Sequence, residues 1–207
     1  DDKTWEKSQK MLKKLLVQKK INFLVAEGEA AFYGPKMDLL ACDSLGRSWQ
    51  LSTVQLDLNM SQRFGLEYTD QTGKNCTPIM IHSALVGSPE RMLGVLIEHY
   101  SGAFPFWMAK TQIAVATVGK QNQKYASAVA KELQENNFRV EILDGDDTVG
   151  KKIFYSETQK IPYTIVVGDK EMKQKSVALR HRGKRETEVL KLKKVIEKFT
   201  KEQNPLV

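Results

Sequence analysis

The feature of this sequence that most constrains its fold is an alternation of two hydrophobic periods after residue 111. Short apolar runs typical of buried strands are followed by longer segments with helical spacing. The strand-like runs are IAVATVG, RVEIL, IPYTIVVG and SVALRHRG, and the helical segments are NQKYASAVAKELQENN, VGKKIFYSETQK and ETEVLKLKKVIEKFTKE. Strands that alternate with helices predict an α/β domain with a mostly parallel sheet covered by helices.

Residues 1–110 follow a different pattern, in which strands and helices are segregated. The chain opens with an amphipathic helix, and the stretch INFLVAEG has the pattern of a strand. The segments KMDLLACD and SWQLSTVQLDLN, joined by the turn SLGR, predict an antiparallel hairpin, while PIMIH predicts a further strand before a helix. We therefore expect an α+β domain with an antiparallel sheet in residues 1–110. The segment SGAFPFWMAKTQ follows neither the helical nor the strand period. It therefore separates this first domain from a second domain in residues 111–207.

The longest predicted strand contains a break in its period of two. Apolar side chains occupy odd positions up to Leu51 and even positions from Val54 onward. A regular strand cannot place both sets on one face, because successive side chains alternate. An extra residue near Ser52–Thr53, as in a β-bulge, would align the two sets and bring Gln50 and Gln55 to the same face. The alternative is a strand that is buried on both faces and needs no alternation.

One helix begins with a residue that does not suit its position. In SPERMLGVLIEHY, Ser88 is a good N-cap, Pro89 suits the first helical position and Glu90 places an acid in the first turn. Arg91 follows, although a cation at the positive end of the helix dipole is disfavoured by about 0.3–1 kcal/mol. The free N–H groups of a helix start and a guanidinium together suit a phosphate or carboxylate. The alternative is a surface arginine paired with a nearby acid.

For the other candidate functional residues, position in the sequence alone does not separate a functional role from a structural one. Tyr33 and Lys36 flank the turn residues of AFYGPK, which is also compatible with a simple turn and a solvated lysine. His82 ends a predicted strand, where a histidine is more often structural than a metal ligand. No second histidine or cysteine stands at metal-ligand spacing from it, and the sequence has no P-loop, G-x-S-x-G or zinc-finger motif.

Charge and cysteine content restrict the partners and the compartment. The net charge is +7, of which +6 lies in residues 111–207, so the second domain suits a polyanion such as nucleic acid or carries a solvated basic surface. Cys42 and Cys76 form no C-x-x-C motif and suit a reducing compartment, which predicts a cytoplasmic protein. No apolar run approaches the roughly 18 residues that span a bilayer, so we expect no membrane partner.

Five segments in order resemble one family over nearly the whole chain. EGEAAFYGPKMD, GRSWQLSTVQLDL, PIMIHSALVGSPERMLGVLIEHY, FPFWMAKTQ and IPYTIVVGDKE resemble the threonyl-tRNA synthetases, which are class II aminoacyl-tRNA synthetases. The resemblance implies the C-terminal part of a class II catalytic core, followed by an anticodon-binding domain. It also implies ATP-dependent activation of threonine and its transfer to tRNA(Thr), by a complete enzyme that is a homodimer.

The resemblance implies a role for each residue that fits a family motif. GSPER corresponds to the third class II motif, whose arginine, here Arg91, grips the phosphates of ATP and of the adenylate. Catalysis would rest on Arg91, Lys36 and Gln55, with ATP bound as its magnesium complex. Tyr33 would contact threonine. His82 would be the third ligand of a zinc ion that holds the threonine amino and hydroxyl groups and lets the site reject valine. The residues expected to line the adenosine and adenylate site are Gln50, Thr53, Gln55, Ser88 and Arg91.

The sequence departs from the family pattern at several positions. The first two class II motifs are absent, as are the second-motif arginine, the zinc cysteine, the first zinc histidine and an editing domain, so we expect this chain alone to be inactive. Ser83 stands where arginine is usual. Glu171 and Arg180 match anticodon-reading positions, whereas Asp146 stands where an anticodon-reading asparagine is typical. The alternative function is a non-catalytic RNA-binding or regulatory protein on a synthetase scaffold.

Overall fold

In a computed structural model that describes residues 2–204, the first of two structural units, Asp1–His99, is built around a three-stranded antiparallel sheet. Its strands lie in the order β1-β2-β5, and the predicted hairpin forms its first two strands. A hairpin whose strands, β3 and β4, have two residues each and a short helix, α2, were not predicted. The elements are α1 (Asp2–Gln18), β1 (Lys36–Cys42), β2 (Ser48–Asp57), α2 (Met60–Arg63), β3 (Tyr68–Thr69), β4 (Asn75–Cys76), β5 (Met80–Ala84) and α3 (Pro89–Tyr100).

The strand predicted for INFLVAEG is wrong. Residues 21–28 form neither helix nor strand, and Leu24 is 94% exposed. A strand is stabilised by the ladder that it forms with another strand, and the described part of the chain gives this segment no strand partner. Apolar exposure also extends to the sheet, where Leu39 and Ile81 are exposed. The first unit therefore leaves much of its apolar surface open.

The second unit, Tyr100–Val207, has the predicted α/β architecture. Its five-stranded sheet has the order β10-β9-β8-β6-β7. β6 pairs in parallel with β7 and β8, and only β9 runs against the other four strands, so the prediction of a mostly parallel sheet is confirmed. The elements are β6 (Ile113–Thr117), α4 (Gln123–Glu135), β7 (Val140–Leu143), α5 (Val149–Thr158), β8 (Tyr163–Val167), α6 (Asp169–Gln174), β9 (Val177–His181), β10 (Thr187–Leu190) and α7 (Leu192–Gln203).

The predicted final helix begins later than its pattern indicated. Residues 187–190 form the edge strand β10, which pairs with β9, and the helix starts only at Leu192. The turn at Gly183, with φ +74°, reverses the chain so that this segment meets β9. For residues 187–190, hydrogen bonding to β9 thus determines the structure, although their apolar spacing favours a helix.

The core of the second unit joins the sheet to an aromatic cluster. Phe106 stacks on Phe199 with ring centroids 4.9 Å apart, and Phe138 and Tyr163 contact the same two rings. Phe106 comes from the segment that the sequence identified as a separator, so this segment packs on the second unit.

Among residues 2–204, no helix has both the length and the apolar character needed to cross a bilayer. Cys42 and Cys76 are free thiols.

Candidate functional site

The break in period within β2 is a β-bulge, as predicted. Leu39 pairs with Ser52 and Leu40 pairs with Gln50, so Leu51 is the extra residue of β2. The bulge lies directly before the predicted Ser52–Thr53 position. The alternative of a strand buried on both faces is also wrong, because within β2 only Leu56 and Asp57 at its end are buried.

The bulge gathers the predicted polar residues of β2 on one face of the sheet. Residues directly opposite each other in an antiparallel pair share a face, and alternate residues of one strand do too. Lys36, Asp38 and Leu40 alternate along β1 and lie opposite Gln55, Thr53 and Gln50 respectively. His82 of β5 lies opposite Gln55 and joins the same face. We call the side defined by Lys36, Asp38, Gln50, Thr53, Gln55 and His82 the polar face.

The turn before β1 places Tyr33 on the polar face. Main-chain hydrogen bonds from Leu56 to Pro35 and from Leu58 to Tyr33, both 3.0 Å, lay the turn along β2. A Cβ atom at Gly34 would lie 1.7 Å from the Leu56 carbonyl oxygen, so only glycine allows this approach. The Tyr33 hydroxyl donates to the Gln55 side-chain oxygen, and its ring meets the His82 ring edge-on at 5.6 Å. AFYGPK is therefore a turn that is fixed against the predicted site.

His82 is held by Asp57, which sequence reasoning missed. Nε2 of His82 lies 2.8 Å from Oδ2 of Asp57, while Oδ1 accepts the backbone N–H groups of Asn59 and Met60 at the start of α2. Burial raises the pKa of Asp57, which is 1% exposed, but the hydrogen bonds from His82, Met60 and Asn59 outweigh burial and lower it below its usual value. The available signal was an acid at a strand end just before a helix start.

The described residues do not form a zinc site by themselves. A catalytic zinc ion takes about three protein ligands and keeps one open position. Between residues 2 and 204, no group of three or more histidine, cysteine, aspartate or glutamate side chains is placed to hold a metal. His82 and Asp57 provide at most two ligands, and they bind each other.

Arg91 lies beside the bulge, at the start of α3. The Ser88 hydroxyl accepts the Arg91 N–H at 3.3 Å, which confirms Ser88 as the N-cap. Nη1 of Arg91 donates to the Gln50 carbonyl oxygen at 3.1 Å, so the bulged strand holds one edge of the guanidinium. The rest of this exposed side chain offers further N–H donors. The surface-arginine alternative requires an acidic partner, whereas the contact observed is to a main-chain oxygen.

The loop before α3 depends on Gly87, which gives a testable prediction. Gly87 has φ +63°, and a Cβ atom there would lie 2.5 Å from the Leu51 carbonyl oxygen at the bulge. Gly87→Ala is expected to lower the free energy of unfolding by about 1–3 kcal/mol, because it combines backbone strain with a clash. Gly94→Ala, in the exposed middle of α3 with open space around it, is the matched control and should stabilise by about 0.5–1 kcal/mol. Urea denaturation measures both, and equal stability of the two variants would contradict the close approach.

Two further features of the polar face bear on ligand binding. Nζ of Lys36 lies 2.7 Å from Oδ2 of Asp38. Burial raises the pKa of Asp38, but Lys36 and the side chains of Thr53 and Gln50 lower it below its usual value, so this carboxyl group is ionised at neutral pH. The Thr53 hydroxyl is one of these polar groups, and Thr53 lies directly opposite Asp38 in the pairing of β1 with β2.

The three predicted RNA-contacting residues of the second unit have different partners. Oε2 of Glu171 accepts the Gly168 N–H at 2.9 Å and caps α6. Asp146 follows β7 and lies 2.9 Å from Nζ of Lys120. Arg180 lies opposite Thr164, near the start of β8, with Nε 3.5 Å from Glu157. Glu171 and Asp146 thus lie at the carboxyl edge of the parallel strands. The backbone of Arg180 lies nearer the amino edge of the same strands.

Comparison with known proteins identifies both units. Residues 1–100 match the family model of the class II core domain of tRNA synthetases (G, H, P, S and T), and residues 112–202 match that of the anticodon-binding domain. The threonine–tRNA ligase of Desulforamulus reducens is 45% identical over 183 residues, which cover 88% of this chain and 29% of that protein. The chain belongs to the threonyl-tRNA synthetase family.

Other members of the threonyl-tRNA synthetase family support the assignment. The threonine–tRNA ligase of Porphyromonas gingivalis is 39% identical over 206 residues, all of this chain and 32% of that protein. The chain therefore spans about three tenths of the length of these relatives. A crystal structure of the RNA-binding domain of threonyl-tRNA synthetase from Cryptosporidium parvum matches with a TM-score of 0.88 and 34% identity. The match covers 98% of the present chain and 51% of the Cryptosporidium chain. A putative threonyl-tRNA synthetase from Aeropyrum pernix matches with a TM-score of 0.71 and 30% identity, over the whole chain and 51% of that chain.

Membership of the threonyl-tRNA synthetase family confirms the predicted resemblance and fold classes. The α+β unit corresponds to the class II core, and the α/β unit corresponds to the anticodon-binding domain. The alternative of a non-catalytic protein on the same scaffold is not favoured, because the curated relatives are ligases. The roles of individual residues stay predictions.

Proposed function

We propose that this chain is part of a threonine–tRNA ligase, which activates threonine with ATP and transfers it to tRNA(Thr). The observation that carries the proposal is the β-bulge at Leu51, which places Gln50, Thr53 and Gln55 on one face beside the guanidinium of Arg91. A flat array of amides and a hydroxyl suits the adenine and ribose of a nucleotide, and a guanidinium at a helix start suits its phosphates.

In this proposal each candidate site residue of the first unit has a defined role. Gln50, Thr53, Gln55 and Ser88 line the site of adenosine and the adenylate, and ATP enters as its magnesium complex. Arg91 grips the phosphates and Lys36 assists near them, which orients the reacting groups and stabilises their charge. Tyr33, fixed by Gln55, contacts threonine. His82 would supply one zinc ligand, and the described residues 2–204 do not provide a complete set around it.

The proposal extends to the organisation of the complete protein. Residues 1–110 form part of the catalytic domain, and residues 111–207 form the anticodon-binding domain. The complete enzyme is a homodimer in the cytoplasm, as its free thiols suit a reducing compartment. The +6 charge of residues 111–207 supports binding to a polyanion.

Binding of tRNA tests the proposal for the second unit. The full chain is expected to bind tRNA weakly, with affinity that falls as salt rises, because phosphate contacts release counterions. Base reading by Glu171, Asp146 and Arg180 is expected to give a preference for threonine anticodons. Arg180→Ala should cost about 1–3 kcal/mol of binding free energy and relax that preference. Fluorescence anisotropy with labelled tRNAs at several salt concentrations measures both effects.

Two matched variants separate base reading from other roles of Arg180. Arg185→Ala removes an exposed arginine of the same unit and should weaken binding to all tRNAs alike. Glu157→Gln removes the ion pair of Arg180 but keeps the arginine, so it should retain the anticodon preference. Equal binding of the unmodified chain to tRNAs of every anticodon would leave only a non-specific basic surface.

A further inference from the structure

Three loops meet at the carboxyl edge of the parallel strands, and the central loop ties the other two together. This loop, residues 119–122, follows β6, which lies between β7 and β8. Its buried Asn122 accepts the Gly119 N–H at 3.1 Å and donates to Oδ1 of Asp169 at 2.8 Å, after β8. On the other side, Nε2 of Gln123 donates to the Asp144 carbonyl oxygen at 3.0 Å, after β7. The three loops therefore form one connected edge.

The position of this edge in the sheet suits a ligand. The chain runs from β6 to β7 on one side and then returns past β6 to β8 on the other, so the connections diverge at the carboxyl ends of β6 and β8. Open α/β sheets bind ligands at such a switch point. Glu171 lies there, because it caps α6 directly after β8.

Lys120 and Asp146 form an ion pair on this edge. Nζ of Lys120 lies 2.9 Å from Oδ1 of Asp146, and the two side chains are 76% and 77% exposed. An exposed pair of this kind contributes little to folding stability. The ammonium group only donates hydrogen bonds and the ionised carboxylate only accepts them. Together they present a donor and an acceptor side by side, as a single side-chain amide does.

We propose that Lys120 is a specificity-determining residue, which acts with Asp146 as a unit that reads one unpaired anticodon base. The inference rests on the proposed function of the second unit in anticodon reading. An unpaired base exposes adjacent donors and acceptors on its Watson–Crick edge. Asp146 alone would offer only acceptors and would repel the RNA backbone. Lys120 supplies the missing donor and neutralises the carboxylate.

A double-mutant cycle in the full chain tests this unit. The probes are synthetic anticodon stem-loops, one with a threonine anticodon and others with each anticodon base replaced in turn. Lys120→Met should weaken binding of the threonine stem-loop roughly tenfold and reduce discrimination at one base position. Asp146→Asn in the same chain should restore both, because asparagine carries the donor and the acceptor in one neutral group. Lys131→Met, which removes another exposed ion-paired lysine of the same unit, is the control and should leave discrimination unchanged.

The possible outcomes separate this inference from the proposed function. If Lys120→Met loses affinity and discrimination at one base and Asp146→Asn restores both, the result supports the Lys120–Asp146 unit. A uniform loss for all stem-loops without rescue would show that Lys120 contacts only phosphates, and unchanged binding would show that it contacts nothing; either result overturns the inference. If the unmodified chain does not distinguish the stem-loops, the proposed anticodon reading itself fails.

Discussion

Replacement of Arg91 by lysine, in a full-length protein that carries this chain, should slow adenylate formation by about tenfold or more. The Gln50 carbonyl oxygen already occupies one N–H of the guanidinium, at 3.1 Å from Nη1. The remaining planar donors can still grip two phosphate oxygens at once. A lysine keeps the charge but concentrates it in one ammonium group, which cannot serve the carbonyl and two phosphate oxygens in the same geometry.

Pyrophosphate exchange that depends on threonine measures the effect of Arg91→Lys. The folding stability should barely change, because Arg91 is exposed and the Ser88 cap uses its backbone N–H rather than its side chain. Arg63→Lys, at an exposed arginine of the same unit, is the matched control and should leave exchange unchanged. A folded Arg91→Lys enzyme with normal exchange would refute the phosphate role.

The bulge was predictable because a strand alternates strictly. A change from odd to even apolar positions within one strand requires one extra residue, and the pairing of Leu39 and Leu40 places it at Leu51. The helix start at Ser88 was predictable for a similar reason, since a serine before proline is a favoured N-cap and its hydroxyl accepts the Arg91 N–H, whereas the anion at Arg91 stays a prediction. Both inferences used rules that act within a few residues.

The features that the sequence did not reveal depend on contacts between distant segments. Residues 187–190 have a helical pattern but pair with β9, and residues 21–28 have a strand pattern but form no ladder with a strand among residues 2–204. The hydrogen bond of His82 with Asp57 joins positions 25 residues apart, and the ion pair of Lys120 with Asp146 joins two loops. No local period encodes such pairs, because they arise only when the sheet register is fixed.

The chain of residues 1–207 alone is expected not to activate threonine. Under the proposed function, a second-motif arginine and a zinc ion with about three protein ligands position the substrates, and the described residues 2–204 supply neither a second-motif segment nor the full set of zinc ligands. Residues 2–204 provide no group of three metal-binding side chains, so zinc affinity should be poor. Loss of both removes several kcal/mol of transition-state stabilisation, and each ~1.4 kcal/mol is tenfold in rate.

The test combines threonine-dependent pyrophosphate exchange with zinc quantification on purified chain of confirmed mass. Exchange should stay at background and zinc should be substoichiometric, while tRNA binding by the second unit should persist, because its core is closed around Phe106, Phe138 and Phe199. The first unit, with Leu24, Phe32 and Leu85 exposed, should make the chain associate at high concentration. Robust exchange with one tightly bound zinc ion per chain would contradict the expectation, because it would require ligands and phosphate contacts that residues 2–204 do not place around His82 and Arg91.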